Sequence, residues 1–250
     1  MNKNHNVIAL VTGANRGLGF ATARRLGELG ATVLVGARTA DKAQRAATQL
    51  RESGVWADPL LLDVSSWESV DRAAAEVADT HGRLDVLVNN AGILPEAFAP
   101  EASQPIDLRL FESAFTTNVF GAVAVTQAFL PLLRRSAAAS IVNVSSTMGS
   151  LNEQLNPDSP YFGMVLPAYQ SSKAALNAFT VSLSKALADT PITVNSVCPG
   201  WVQTDLGGPD NRAAAPTTAA EAAQVVAALA LAGANGPTGA FVDRDGVVAW

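Results

Sequence analysis

Val7-Ile-Ala-Leu-Val-Thr-Gly-Ala-Asn-Arg-Gly-Leu-Gly19 is the stretch whose reading decides the fold. Its first half is a short apolar run rich in β-branched residues and bounded by glycine. Such a run reads as a strand buried on both faces of a parallel sheet. Its second half, with Gly13, Asn15, Arg16, Gly17, Leu18 and Gly19, is a glycine-rich turn that opens a helical run to about Leu29. A turn of this kind lets backbone N–H groups approach a phosphate closely, and the helix N-terminus adds positive partial charge. A tight turn without a ligand would use the same glycines. The strand–turn–helix context favours phosphate, although the spacing is Gly-x-x-x-Gly-x-Gly rather than the commoner Gly-x-Gly-x-x-Gly.

Outward from that stretch, strand and helix signals alternate. Apolar runs at 31–36, 55–62, 84–88, 140–146, 192–197 and 239–242 predict six more strands. Helical patterns lie between them. One runs to about Ser53. One follows the candidate caps Ser65 and Ser66 to about Thr80. One spans Asp107 to about Arg135, with Pro131 bending or breaking its end. One extends from Pro167 to about Asp189, and an alanine-rich one from Thr217 to Leu231. This alternation predicts an α/β fold, a single doubly wound parallel sheet of about seven strands flanked by helices over 1–250. Stretches near 93–106, 147–167 and 205–216 read as loops around a substrate cleft. The second is too long to be only a connection, and the third reads as mobile.

The 250 residues are 48% hydrophobic and 16% charged, a globular composition. A net charge of -5 gives no electrostatic reason to expect a nucleic-acid partner. The single cysteine, Cys198, permits no intrachain disulfide and fits a reducing cytoplasm. His5 and His81 have no ligand-like spacing, so no metal site is expected. Residues Met1 to Asn6 are polar, without the apolar core of a leader, and no run of eighteen apolar residues predicts a membrane span. The expected partner is a small molecule.

The strand ends show what that molecule meets. An acid at the end of the second strand would bind a ribose diol and favour NAD. Here Gly36 and Ala37 are followed by Arg38, and Arg16 lies in the glycine turn. Two guanidiniums suit a ribose 2′-phosphate, which predicts NADPH or NADP+ over NADH. Asp63, followed by Val64, could accept from an adenine amino group. Asn89-Asn90-Ala91-Gly92 ends the fourth strand with small or turn-tolerant residues that leave room for a cofactor ring.

Tyr169 and Lys173 are four apart on a helical run opened by Pro167, so both face one way. A phenol with an ordinary pKa of about 10 is a usable acid at neutral pH. A neighbouring ammonium favours the phenolate and pulls that pKa down. Asn118, in an apolar helix, reads from its surroundings alone as a core amide with satisfied hydrogen bonds.

Taken together and in this order, Thr12-Gly-x-x-x-Gly-x-Gly19, Asn89-Asn-Ala-Gly92, Asn118, the strand-end serines, Tyr169-x-x-x-Lys173 and Pro199-Gly200 resemble the short-chain dehydrogenases/reductases over essentially the whole chain. The resemblance implies a Rossmann-type fold and NAD(P) chemistry. It implies Tyr169 as acid or base at the substrate oxygen. Lys173 would bind the nicotinamide ribose and lower the tyrosine's pKa. Ser146, in Ser146-x-x-Gly149, is implied at the substrate carbonyl in preference to Ser145, and Asn118 in a water-linked proton relay. It further implies cofactor contacts from Pro199, Gly200, Val202 and Thr204, and adenine contacts from Asp63 and Val64. Ser146 and Tyr169 are separated by 23 positions, more than in most members, an insertion that resembles the carbonyl-reductase-like branch. Insertions there can cover the face used for tetramers, so the chain is expected as monomer or homo-oligomer without preference. The implied activity is NADPH-dependent reduction of a neutral, apolar or aromatic ketone or aldehyde. Leu94, Leu151, Phe162 and Trp201 are candidate pocket residues, with Ile93, Met164 and Leu206. NADP+-dependent alcohol oxidation uses the same residues in reverse. A non-catalytic NADPH-binding sensor would need the fold but not the Ser–Tyr–Lys–Asn set.

Overall fold

The computed structural model describes residues 7–98 and 106–250. The expectations for Met1 to Asn6, for His5 and for residues 99–105 of the first substrate loop lie outside the described residues. Seven parallel strands form one sheet: β1 (Ile8–Val11), β2 (Thr32–Ala37), β3 (Ala57–Leu61), β4 (Val86–Asn89), β5 (Ala139–Val144), β6 (Ile192–Val197) and β7 (Phe241–Val242). Their order is β3-β2-β1-β4-β5-β6-β7. The chain winds outward from β1 to β3, then returns to the other side of β1 with β4. The crevice at that reversal, outside the carboxyl ends of β1 and β4, is where open parallel sheets bind ligands.

Helices cover both faces because both faces are apolar. Along each central strand, alternate residues point to opposite faces. Ala9, Val11, Val33, Val35, Val86 and Val88 pack on one side with α1 (Gly17–Glu28), α2 (Ala40–Glu52) and the helix Ala219–Ala230. Leu10, Leu34, Leu87 and Ile141 pack on the other with α3 (Trp67–His81) and the helix Gly121–Leu133. Ser66 caps α3, accepting from the Ser69 N–H. Ser65 does not, because its hydroxyl donates to Asp63 instead.

The predicted helix from Asp107 differs from expectation. α4 (Leu108–Phe115) passes through one π-helical turn, Thr116–Phe120, into α5 (Gly121–Leu133). Pro131 lies inside α5 without ending it, as a proline two residues from a helix end disturbs little beyond the last turn. The continuous stretch Leu108–Leu133 is long and apolar enough to cross a membrane by composition; half of its most apolar window is buried inside the fold. Two of the three predicted loops hold α-helices, and the first holds the 3-10 turn Pro95–Phe98. Residues 147–167 contain the 3-10 turn Thr147–Gly149 and α6 (Leu151–Leu155). Residues 205–216 contain the 3-10 turn Asp205–Gly207 and α8 (Gly208–Ala214). The helix α7 spans Pro167–Ala186, and α9 is Ala219–Ala230.

A polar row crosses this apolar sheet. Asn89, Asn143 and Ser196 are register neighbours on β4, β5 and β6. The Asn89 amide donates to Asn143 Oδ1 (2.8 Å) and Thr126 Oγ1 (3.0 Å), and the Asn143 amide donates to Thr180 Oγ1 (2.8 Å). Thr180 and Ser196 share a further bond of 2.9 Å. Each partner is buried, so removing the middle member takes one bond from Asn89 and one from Thr180 with no water to replace them. Asn143→Ala is expected to lose about 2–4 kcal/mol of stability, measured by denaturant unfolding, a larger loss than its side-chain volume accounts for.

Candidate active site

The crevice begins with a close approach of two backbones. Thr12 Oγ1, at the end of β1, accepts the N–H groups of Asn90 and Ala91, each at 2.9 Å. In return the Asn90 side-chain amide donates to Thr12 O at 2.8 Å. Gly19 lies beneath this stitch. A Cβ there would sit 2.4 Å from Asn90 Nδ2 and 2.5 Å from Gly13 O, so only glycine fits. Gly13 and Gly17 hold φ of +64° and +57°, the left-handed region. α1 starts without a side-chain cap, so its first N–H groups are left for a ligand. Gly13, Asn15, Arg16, Gly17, Leu18, Gly19, Asn90, Ala91 and Gly92 all line the crevice, and the cradle fits a dinucleotide pyrophosphate.

At the adenosine end, Arg38 leaves β2 exposed, borders the crevice and makes no ion pair among the described residues. Asp63 also borders it. One of its carboxylate oxygens accepts both the N–H and the hydroxyl of Ser65. Val64 lines the crevice and packs where a Cβ on Gly121 would fall 2.9 Å from its methyl. Arg16 is engaged differently from the expectation of a free phosphate ligand. Its guanidinium pairs with Asp205 at 3.0 Å, and Asp205 also holds Arg212 of α8 at 2.9 Å. Thr204 completes this contact, its methyl 3.3 Å from where a Cβ on Gly17 would lie. Thus the segment after β6, with Pro199, Gly200, Val202 and Thr204, lies over the glycine turn.

The other end holds the titrating groups. Pro167 opens α7 at its first position; Tyr169 in that first turn and Lys173 one turn beyond it point into the crevice, 6% and 5% exposed. Lys173 Nζ is 5.6 Å from the centre of the Tyr169 ring and donates to Val144 O at 2.8 Å. Burial pushes the Tyr169 phenol well above its ordinary value. The neighbouring Cys198 and Glu96 push the same way, and a hydrogen bond from Ser146 opposes them. The expectation of a depressed phenol is therefore reversed here: desolvation outweighs the ammonium, which is turned to a carbonyl. Burial also draws Lys173 down to about 8.

Ser146 and Ser145 are both at the crevice edge. Ser146 caps the 3-10 turn and faces the phenol, whereas Ser145 is spent on the Lys173 carbonyl across the sheet edge. Asn118 projects from the π turn, fully buried. Its Oδ1 accepts from Ile93 N–H (2.8 Å), and its amide donates to Ile93 O and Ser172 Oγ (both 2.9 Å). The side chain is thus a satisfied amide. It also lies beside the lysine: the point a Cβ on Gly92 would occupy is 3.3 Å from Asn118 Oδ1 and 3.6 Å from Lys173 Nζ.

The cleft has a volume of about 620 Å³. Ile93, Leu94, Met164, Trp201 and Leu206 line it. Leu151 and Phe162 do not, contrary to expectation. Leu151 opens α6 with its side chain outward and Phe162 sits on a turn, 61% and 51% exposed. Residues not anticipated take their place: Met148, Pro160, Tyr161 and Asn211, the last accepting from the Trp201 indole N–H. Tyr161 is the chain's only other tyrosine, a signal that was present. Asn211 and Glu96 had none, since their partners are fixed only by tertiary contact.

Residues 7–215 match the family model described as short chain dehydrogenase. The short-chain dehydrogenase anuI of Penicillium roqueforti is 40% identical over 207 residues, covering 80% of this chain and 81% of that protein. A putative ketoacyl reductase of the monensin polyketide synthase from Streptomyces virginiae is 36% identical, covering 82% and 74%. Among solved structures, the carbonyl reductase Sniffer of D. melanogaster superposes with TM-score 0.81 at 31% identity, covering 99% and 100% of the two chains. The NADPH-bound carbonyl reductase from chicken fatty liver gives 0.80 at 30%, covering 98% of each.

The depressed Lys173 also has a consequence for folding. Between pH 8 and its ordinary 10.5, the folded chain binds fewer protons than the unfolded one. Lys173 therefore opposes folding at pH 7, and its burden fades as pH climbs through that window. Lys173→Met is expected to be more stable than the parent at pH 7, on the order of 2 kcal/mol, with the margin closing towards pH 10. Melting temperatures across pH 7–10 check this.

Proposed function

The chain belongs to the short-chain dehydrogenase family of NAD(P)-dependent oxidoreductases, and on that premise we propose that it is an NADPH-dependent carbonyl reductase. The observation that carries this reading is the placement of the Tyr169 phenol. It is buried, protonated at neutral pH, beside the Ser146 hydroxyl and on the same helix face as Lys173, at the end of a cleft whose other end is a phosphate cradle.

The bound cofactor supplies hydride, so that a ketone or aldehyde, NADPH and a proton give an alcohol and NADP+. The glycine turn would hold the pyrophosphate, and Arg38 the 2′-phosphate. Asp63 and Val64 would meet the adenine; Pro199, Gly200, Val202 and Thr204 would border the nicotinamide. Ser146 and Tyr169 bind the substrate oxygen, and Tyr169 gives it a proton as charge develops there. Lys173 then stands close enough to stabilise the phenolate electrostatically, and Asn118 fixes the loop at Ile93 and the start of α7 around it. Tyr169 enters the reaction as the neutral phenol; because a phenol held up is a weaker acid, stabilisation of the phenolate by the ammonium and the Ser146 hydroxyl is what the proton transfer needs. The walls from Leu94, Tyr161, Met164, Trp201 and Leu206 present aromatic and aliphatic surface without a fixed charge. This favours a neutral apolar or aromatic carbonyl compound.

Consumption of NADPH with a panel of neutral ketones and aldehydes tests the reading. Tyr169→Phe is expected to lower kcat about 10²–10⁴-fold while leaving NADPH affinity nearly unchanged. Unchanged turnover in that variant removes Tyr169 from the chemistry. Arg38→Ala is expected to weaken NADPH binding about 10–100-fold and NADH binding far less, as loss of a charge-assisted contact to phosphate would. Equal Kd values for the two cofactors in the parent protein would sink the NADPH preference.

A further inference from the structure

Glu96 sits on the 3-10 turn Pro95–Phe98, just past the Asn90–Gly92 strand end, and has no part in the proton path above. One of its carboxylate oxygens accepts the peptide N–H of Tyr169 at 2.9 Å. The other is buried with no hydrogen-bond partner. α7 needs such an acceptor. Its N-cap position is Leu166, which has no capping side chain, and Tyr169 is the third helical residue, whose N–H a cap would normally take. A neutral amide could accept that N–H equally well. A carboxylate with one oxygen left unsatisfied costs desolvation that an amide would largely avoid, so the charge calls for its own explanation.

We propose that Glu96 is a positioning residue for Tyr169: from the substrate-side loop it caps the first turn of α7 and sets a negative charge beside the phenol, so that Tyr169 is held in place and stays protonated as the pH rises into the alkaline range. This rests on the reading of Tyr169 as the reductive acid. Other titratable groups surround the pair. Lys173 faces the phenol from α7, Cys198 from the segment after β6 and Tyr161 from the loop before α7. The elements packed on the Pro95–Phe98 turn carry the Asp107–Arg109 ion pair and Glu112 on α4, and Asp205, itself held by Arg16 and Arg212. Among the described residues no cation pairs with Glu96. Its charge acts on the phenol in the same direction as burial does, against ionisation.

Glu96→Gln keeps an acceptor for the N–H and removes the charge; Glu96→Ala removes both. The chain has two tyrosines, so labelling tyrosine with 13C at Cζ gives two signals, assigned with Tyr161→Phe. In Glu96→Gln the Tyr169 signal is expected to titrate at lower pH than in the parent, with melting temperature and NADPH Kd unchanged. The alkaline fall in reductive kcat/KM is expected to move down by the same interval. A Tyr169 signal that titrates at the same pH in both proteins, or in neither while they stay folded, overturns the proposal. So does a Glu96→Ala defect that the lower melting temperature explains while Glu96→Gln behaves as the parent. A displaced titration in a chain that reduces no carbonyl compound supports the positioning role and removes the reductase reading instead.

Discussion

The crevice depends on how closely the ends of β1 and β4 approach each other. Thr12 gathers two N–H groups from β4's extension, Asn90 returns its amide to the β1 backbone, and Gly19 leaves no side chain between them. The winding of the sheet reverses between these two paired strands, and these bonds hold their carboxyl ends together where the crevice begins. The clamp aims the uncapped start of α1 into the cleft and sets Gly92 against Lys173 and Asn118. The glycine turn and the Tyr169–Lys173 pair are thereby built on one edge of the sheet, lining one crevice.

The proton-handling end works by opposing tendencies. Burial makes the tyrosine harder to ionise and the lysine easier to neutralise, while each group's partners decide how far this goes. Lys173 is tied to a main-chain carbonyl of β5 and Tyr169 to a serine on the turn that follows β5. Their separation is therefore set by partners on and just after one strand of the sheet. Exclusion of water, more than the neighbouring cation, sets the direction in which the tyrosine is shifted.

Much of this was legible in the sequence because it is local. Strand runs such as Ile8–Val11 alternate valine-sized and leucine-sized residues between two buried faces, and the glycine turn and the Tyr169–Lys173 pair need only short spacing to be recognised. What escaped was tertiary. Leu151 and Phe162 look like pocket residues by composition, but α6 and the following turn direct them outward. The helix α8 hides in a stretch of glycine, proline and asparagine whose local propensity argues for a loop; it persists where Arg16, Asp205 and Arg212 meet. The direction of the Tyr169 shift could not be read from an i, i+4 spacing, since it is set by depth of burial. Glu96 is 73 positions from the N–H it accepts, beyond any local pattern.

The π turn at Thr116–Phe120 carries a consequence for how this chain can change over time. A π turn holds one residue more than the α-helix it interrupts and absorbs it as a local bulge between α4 and α5. Losing a single residue there would restore unbroken α-helix and leave the flanking turns close to their present facing. The bulge that lets Asn118 reach Ile93 and Ser172 would be gone, while the leucines and valines of α5 kept their seat on the sheet.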